Sequence, residues 1–584
     1  MRKFVSILSF GVFFAGAVAA QELPRVAGEP AWPNAKAAAL ITSRSANYAA
    51  ADTAQVRFKS MAQARIDEVR ANNSRPNVKV LQVGIHREMR TEAESTQPPA
   101  LVWKALPDGG QVARFAVTSP GAKALRLGLN VAGLPAGAEL SFFDASGGNT
   151  AVAMTTGSEI KTLRREQPVY WTPVTEGETQ IVEVYLPAGS ATNTFRFSID
   201  SISHLIVLPS GKLDGAKIGE SASCERDVSC MSPMTTGFTN AKNSVARMVF
   251  TAACGSGGAL ASCLCTGTLL NDTDTATQTP YFYGANHCIS TQTEASTLST
   301  FWFYESTGCG MMVLNSGNKQ VTGGADLLYN NAAQDALLLR LRQPPPAGAY
   351  FLGWDPNTLT ASSDFTVIHH PSGDVKKVSL GKVFGFTTLT NLGGSFIHVG
   401  YNSASTEGGS SGAALMTADS SGAYYLRGGL YGGAASCSDG GNLNAPDNYD
   451  DYSRFDQVYP SISQYLNPII DYTGGWNNPN ENGWGVSIIR GPSSGLYVIV
   501  MYHYNQVSNP TWYWMTGGSF SGNTYTTDVR LFSGPWFGQP TYAPQGTSTI
   551  VGTATINFTS ATTGTITYTI DGKTVSKSIN KFIF

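Results

Sequence analysis

Thr406-Glu407-Gly408-Gly409-Ser410-Ser411-Gly412 sets three glycines around two serines. A serine nucleophile needs an exposed Oγ and two backbone N–H groups converging on the oxyanion, and flanking glycines let the backbone make that tight approach. On this reading Ser411 is the nucleophile, and the N–H groups of Gly409 and Ser411 form the oxyanion hole. The plain alternative is a flexible Gly/Ser loop, so the motif needs partners elsewhere. A nucleophile needs a base, and the chain has seven histidines. His287 follows the strand-like run Pro280 to Tyr283 and stands beside Cys288, which would pin it. His369 and His370 compete from the end of another short strand, without such an anchor. The third member is a carboxylate that holds the imidazole tautomer and stabilises its cation. Asp335 opens the run Ala336-Leu337-Leu338-Leu339, where an acid is costly unless partnered. Asp326 is the nearest rival, with a weaker apolar run behind it.

The order His287, Asp335, Ser411 is that of the chymotrypsin-like double β-barrel proteases. Composition agrees with an all-β class. Of 584 residues, 42% are hydrophobic and only 14% charged, with 62 Gly, 29 Pro, 27 Phe, 24 Tyr and 10 Trp. Such aromatic content excludes a disordered polymer, and low charge with many Gly, Ser, Thr and aromatic residues suits short exported strands and turns. The length implies three or four separate cores. With 39 Lys+Arg against 41 Asp+Glu and a net charge of -2, no bulk field favours nucleic acid or an acidic membrane.

Arg2 and Lys3 precede an apolar stretch from Phe4 to Val18, and Ala17, Ala19 and Ala20 follow, the layout of a secretory signal peptide over 1–20. The stretch is too short and interrupted for a membrane span. Residues 21–217 read as a pro-region. They begin with an Ala-rich, comparatively charged part with a helical pattern from Thr53 to Arg70, and continue into a small β-sandwich from about Val112 to Ile206, with alternating runs such as Ile181-Val182-Glu183-Val184-Tyr185. Lys212 to Gly219 is a polar linker and a processing site. The catalytic candidates fall in 218–468. All eight cysteines (Cys224, Cys230, Cys254, Cys263, Cys265, Cys288, Cys309, Cys437) lie there too, so four disulfides in an oxidising compartment are expected. A zinc site of Cys263, Cys265 and His287 lacks paired ligand spacing, so no metal is expected. Residues 469–584 form a cysteine-free β domain holding Trp476, Trp484, Trp512, Trp514 and Trp536. These tryptophans either pack its core or form a platform for sugar rings, with core packing the commoner use.

The block from Gly219 to Asn467 resembles the bacterial lysyl endopeptidases. The likeness is carried by Gly219-Glu220-Ser221-Ala222-Ser223-Cys224 with Cys230, Cys265-Thr266-Gly267, His287-Cys288, the Asp335 strand leading to Gly353-Trp354-Asp355, His369-His370-Pro371-Ser372-Gly373-Asp374, the Ser411 motif, and Gly432-Gly433 before Cys437. It extends more weakly to Tyr170-Trp171-Thr172-Pro173-Val174-Thr175-Glu176-Gly177-Glu178. Tyr472 to Gly485 resembles a C-terminal module of exported proteobacterial proteins. The resemblance implies disulfides Cys224 to Cys437, Cys230 to Cys309 and Cys265 to Cys288, which leaves Cys254 and Cys263 as a further pair.

The same resemblance implies cleavage after lysine, with a carboxylate at the base of the pocket supplied from the segment after Cys437. Asp450 aligns best there, with Asp447 and Asp451 as close rivals. Tyr431 and Gly432 line the substrate cleft; some relatives carry histidine where Tyr431 stands and tryptophan near Phe386, departures that could retune the preference. The residue before the nucleophile, acidic in trypsin-like zymogens, is Ser410, so activation must work otherwise, most simply by loss of the region before Ile218 or Gly219 through a cut at Lys217. The expected protein is a secreted, monomeric serine endopeptidase exported through the periplasm, with protein or peptide substrates and no cofactor, and with glycan or cell-surface contact through its last domain. Glutamyl or broad specificity is the first alternative; an inactive, protease-like adhesin or glycan-binding protein is the second.

Overall fold

The computed structural model describes residues 23–582, apart from residues 24, 34–40, 45–47, 49, 75–78, 96–98, 146–147, 166, 208–220, 275–276, 440, 468–471, 492–495, 522, 537, 539–545 and 561. The expected signal peptide and the expected linker Lys212 to Gly219, with the cut expected at Lys217, lie outside the described residues. Two compact units result: Met1–Asn271 with Thr279–Ile462, and Asp272–Gln278 with Ser463–Phe584.

Within the first unit, the N-terminal region is two β-layers. One sheet joins Gln111–Thr118, Thr179–Leu186, Glu139–Asp144 and Ala153–Thr156, with Ala54–Arg57 running parallel to Gln111–Thr118. The other contains Ala124–Gly133, Arg196–Leu205 and Leu81–Glu88. Inward-facing Phe115, Val117, Leu127, Leu140, Phe142 and Val184 make the core between them, as period-two alternation requires. The expected helix over Thr53 to Arg70 is corrected: Ala54–Arg57 is a strand, and the helix is Gln63–Asn73. Val56 and Phe58 are buried by the sheet, and that tertiary burial overrides the helical spacing.

The sandwich does not close on itself. Leu81–Glu88 pairs on one edge with Arg196–Leu205 and on the other with Ala261–Leu270 of the following block, so one sheet runs from the N-terminal region into the first barrel. That barrel continues through Val245–Ala252, Tyr281–Gly284, Ser299–Trp302, Lys319–Val321, Ala325–Asn331 and Ala336–Leu341, around Met248, Phe250, Phe282, Trp302, Leu337 and Leu339. The second barrel is a closed ring: Lys377–Leu389 pairs with Asp364–His369 and with Gly394–Ser403, and Ala414–Ala418, Tyr424–Gly433 and Asp450–Ser453 complete the circuit. The architecture is all-β with a chymotrypsin-like double-barrel core. The four disulfides are Cys224–Cys437, Cys230–Cys309, Cys254–Cys263 and Cys265–Cys288.

The second unit is a nine-stranded antiparallel sheet that curls back on itself through Trp514 opposite Arg530. Of its tryptophans, Trp476 is fully buried and Trp484 packs against the core, whereas Trp512, Trp514 and Trp536 are exposed. No helix among the described residues is long and apolar enough to cross a membrane.

Candidate active site

Two strands of the first barrel bring a base and an acid together. Tyr281–Gly284 pairs antiparallel with Ala336–Leu341, placing Gly284 opposite Leu337. His287 therefore emerges just past the end of one strand where Asp335 opens its neighbour. Asp335 is 2% exposed, and it receives two hydrogen bonds from the same residue: the His287 backbone N–H on Oδ1 at 2.9 Å and the ring Nδ1 against Oδ2 at 2.7 Å. That double contact fixes the ring plane and puts the proton on Nδ1, leaving Nε2 as the acceptor. Nε2 lies 2.8 Å from Ser411 Oγ. Ser411 comes from the second barrel, on the turn leading into Ala414–Ala418.

That turn depends on its glycines. Gly409 has φ +96° and Gly412 φ +81°. A Cβ on Gly409 would stand 2.6 Å from the His370 carbonyl oxygen, and one on Gly412 2.6 Å from that of Thr266. The Cys265–Cys288 bridge ties the base's turn to the strand that pairs with it, and the Thr266 N–H donates to the Ser411 carbonyl at 2.9 Å.

The rival residues are occupied elsewhere. His369 is buried between the Ser410 and Ser379 hydroxyls, at 2.8 and 2.9 Å, and burial lowers it to about 3. His370 Nδ1 donates to the Asp374 carbonyl at 3.0 Å, and burial holds the ring well below the usual range. Asp326 is held by Arg340, Arg342 and Arg165, and although burial works against it, these cations keep its carboxyl low. Cys263, Cys265 and His287 are taken up by two disulfides and by Asp335 and Ser411. Ser410 serves as a seat for His369, whose other nitrogen stands 3.6 Å from buried Glu225. Burial pushes the Glu225 carboxyl well up.

The three acids expected as candidates for the pocket separate by face. Asp450 and Asp451 are neighbours on one strand, so their side chains point to opposite sides. Asp451 Oδ1 meets His398 Nδ1 at 2.8 Å. Asp447 is exposed, in the turn before the strand. Asp450 is fully buried; its Oδ2 accepts hydroxyl donors from Tyr401, at 2.9 Å, and Thr406. Burial pushes its carboxyl up despite these donors and the nearby Lys79 ammonium. Its Oδ1 has no hydrogen-bond partner among the described residues and faces the Lys79 ammonium at 3.8 Å. The Tyr431 ring stands edge-on to His287 with centroids 5.7 Å apart, and Gly432 pairs with Asp451 across the strand. Phe386 carries the Arg454 guanidinium over its ring at 4.0 Å.

Lys79 is the residue that sequence reasoning missed. It belongs to the N-terminal region, yet its carbonyl oxygen accepts from the Gly409 N–H at 2.6 Å and lies 3.4 Å from the Ser411 nitrogen. The only local sign is a lysine heading the alternating run Val80-Leu81-Gln82-Val83. Nothing in that run announces a partner more than 300 residues away.

Comparison with known proteins follows the same division of the chain. Residues 218–453 match the family model described as lysyl endopeptidase, C-terminal domain, and residues 57–206 the one described as lysyl endopeptidase N-terminal domain. A lysyl endopeptidase of Pseudomonas aeruginosa is 35% identical over 479 residues, covering 79% of this chain and 98% of that protein. The secreted RxLR effector protein 73 of Plasmopara viticola is 27% identical over 263 residues, 43% of this chain and 61% of that protein. Among solved structures, the active form of the Rv3671c protease of M. tuberculosis has 14% identity and a TM-score of 0.26, covering 38% of this chain and 81% of that one. The HtrA-type protease AlgW with a tripeptide has 15% identity and a TM-score of 0.26, covering 59% and 95%. With both of its domain models matched and more than a third of its aligned residues shared with a relative spanned almost end to end, the chain belongs to the lysyl endopeptidase family and is a serine endopeptidase.

Proposed function

We propose that the protein hydrolyses peptide bonds after lysine through Ser411, His287 and Asp335. The observation that carries this reading is the hydrogen-bonded chain from Ser411 Oγ through both nitrogens of His287 to the buried Asp335, at 2.8 and 2.7 Å. Ser411 Oγ attacks the scissile carbonyl carbon while His287 Nε2 takes its proton. Asp335 keeps the tautomer and stabilises the imidazolium, and the oxyanion is received by the Gly409 and Ser411 N–H groups. His287 then protonates the leaving amine, and water, activated by the same imidazole, releases the acyl group. No metal or cofactor enters these steps.

Asp450 supports the lysine preference because a buried carboxylate with one unpartnered oxygen stabilises an ammonium far better than a neutral side chain. The exported enzyme would be freed by a cut at Lys217, with residues 21–217 removed as pro-region, 218–468 acting as protease and 469–584 as a separate β domain. Labelling with a fluorophosphonate probe, lost on Ser411→Ala, tests the nucleophile; labelling that persists in Ser411→Ala refutes it. Mass spectrometry of a denatured protein digest tests specificity: cuts after lysine are expected, and cuts spread over other residues overturn the pocket reading. N-terminal sequencing of the active form tests the pro-region, and an intact start near Gln21 excludes its removal.

A further inference from the structure

Lys79 sits where a substrate lysine would sit. Its side chain is 7% exposed, and its Nζ donates to the carbonyls of Thr406 at 2.8 Å and Ala435 at 3.0 Å. An ammonium has three donors. The third is left over, and Asp450 Oδ1 stands 3.8 Å from the nitrogen. At the other end of the residue, the carbonyl oxygen points into the two N–H groups assigned above to the oxyanion hole. Side chain and carbonyl together are a two-point fit to the proposed active site.

The chain on the carboxyl side of Lys79 is held as firmly. Leu81 lies opposite Leu264, Gln82 opposite Cys263, Gly84 opposite Ser262 and Ile85 opposite Ala261 in an antiparallel ladder. Asn73 clasps Gln82 through a backbone pair at both Nδ2 and Oδ1, each 2.9 Å, and Asn72 Nδ2 reaches the Cys254 carbonyl at 3.0 Å. Further out, the buried Arg126 donates to the Thr297 carbonyl at 2.8 Å and to Thr251 Oγ1 at 2.9 Å.

Resting on the triad and lysine-pocket reading above, we propose that the N-terminal region is an inhibitor built as a substrate, with Lys79 filling the lysine pocket and the Lys79–Val80 peptide bond standing at the nucleophile. A bond presented in this way blocks the site because its cleavage reverses. Attack by Ser411 Oγ would break the Lys79 C–Val80 N bond, form an ester on Ser411 and pass the serine proton through His287 to the Val80 nitrogen. The freed amine cannot leave, because strand Leu81–Glu88 stays laddered on both edges. It remains beside the ester at high effective concentration and re-forms the amide by the reverse of the same steps. Intermolecular substrates meet a filled pocket until the N-terminal region departs.

The test uses the whole chain. The uncleaved full-length band is separated on a gel after timed exposure to a fluorophosphonate, so processed enzyme is read as a different band. Lys79→Met should label in the uncleaved band at least tenfold faster than wild type. Lys79→Arg keeps charge and stem, and serves if Lys79→Met is not recovered folded; it should label about threefold faster, since a planar guanidinium does not fit the two-carbonyl seat. Uncleaved bands that label at the wild-type rate in both variants, while processed bands label quickly, overturn the proposal and leave the triad intact. Processed bands that fail to label overturn the triad reading and the proposal with it. A loosened N-terminal region would also raise labelling, so Lys79→Met is combined with Asp450→Asn. If Lys79 acts through the pocket, the second change adds less than twofold to the first; fully multiplicative gains would overturn the proposal.

Discussion

Replacing Asp450 by Asn removes one charge and little else. The side chain keeps its shape, and the Tyr401 and Thr406 hydroxyls keep an oxygen to bond. The Lys79 ammonium, taken as the stand-in for a substrate lysine, stands 3.8 Å from Asp450 Oδ1. With an effective dielectric near 20, a pair at that distance is worth about 4 kcal/mol, or roughly a thousandfold in an equilibrium or rate constant. The Thr406 and Ala435 carbonyls accept from the ammonium in both forms, so the change reads the charge alone. A substrate lysine takes this interaction into both ground and transition state, so KM should rise and kcat change less. The assay compares kcat/KM of the processed enzyme on paired peptides with lysine or a neutral isostere before the scissile bond. Asp450→Asn should lower the lysine-to-neutral ratio by about a thousandfold, and Asp451→Asn, whose partner is His398, by less than about fivefold. A ratio that moves less than about tenfold in Asp450→Asn, or equally in both, would refute the electrostatic reasoning.

Asp335→Asn should leave the fold and KM near wild type and lower kcat roughly ten-thousandfold, because the amide no longer fixes the proton on Nδ1; stopped-rate assays on a lysyl ester would contradict this if the loss were under tenfold. Removing the Cys265–Cys288 bridge, which spans 23 residues, by a double change to Ala should cost about 3 kcal/mol on the chain-entropy model, read from denaturant midpoints. A cost under about 1 kcal/mol would mean that the strand pairing alone holds the His287 turn. Burial, aided by Arg87 and Arg65, depresses His204 to about 4, and its Nδ1 meets the Ser119 hydroxyl at 2.8 Å. Unfolded, this imidazole takes a proton near 6.5. Its contribution to the stability of the full chain is therefore complete above about pH 6.5 and is lost as pH falls towards 4, by about 3 kcal/mol. Melting Ser411→Ala chain from pH 8 to 4 should show a slope to which buried His369 and His370 add in the same direction, and His204→Gln should reduce it by that amount; identical slopes would show that His204 has no part in it.

The proposed catalytic residues were legible for two reasons: Ser411 stands in a glycine-dense turn, and His287 and Asp335 are polar side chains at the ends of apolar strands, where their cost demands a partner. Asp335 before Ala336-Leu337-Leu338-Leu339 is the plainest case, and Asp326 is taken up instead by Arg340 of the paired strand, by Arg342 just past its end and by Arg165 of the N-terminal region, a pairing the sequence does not show. The proposed pocket acid was legible only to within a few positions. Choosing among Asp447, Asp450 and Asp451 needs the strand's register, and the alternation that turns Asp450 inward and Asp451 towards His398 appears only once Gly394–Ser403 is paired beside it. The window from Thr53 to Arg70 was misread for a related reason: Val56 is buried by a parallel partner strand, Gln111–Thr118, that local periodicity does not report. Lys79 was invisible for the strongest version of the same cause, since its carbonyl partners lie 327 and 356 positions further along the chain.

Leu81–Glu88 is an interior strand, bonded along both sides. Separation of the N-terminal region from the barrels would turn Ala261–Leu270 into a sheet border, with the main-chain donors and acceptors of Ala261 to Leu264 bared a few residues from the nucleophile. An uncovered border of this kind can seat any extended polypeptide by backbone bonds, whatever its side chains. The departing piece would carry the matching scar on Leu81 to Ile85, whose other side stays paired with Arg196–Leu205. Each half would thus become adhesive at the moment of parting: the barrels next to the cleft, where an incoming chain can be gripped beyond the bond to be cut, and the discarded half where nothing remains to be done except bind the wrong neighbour or be digested.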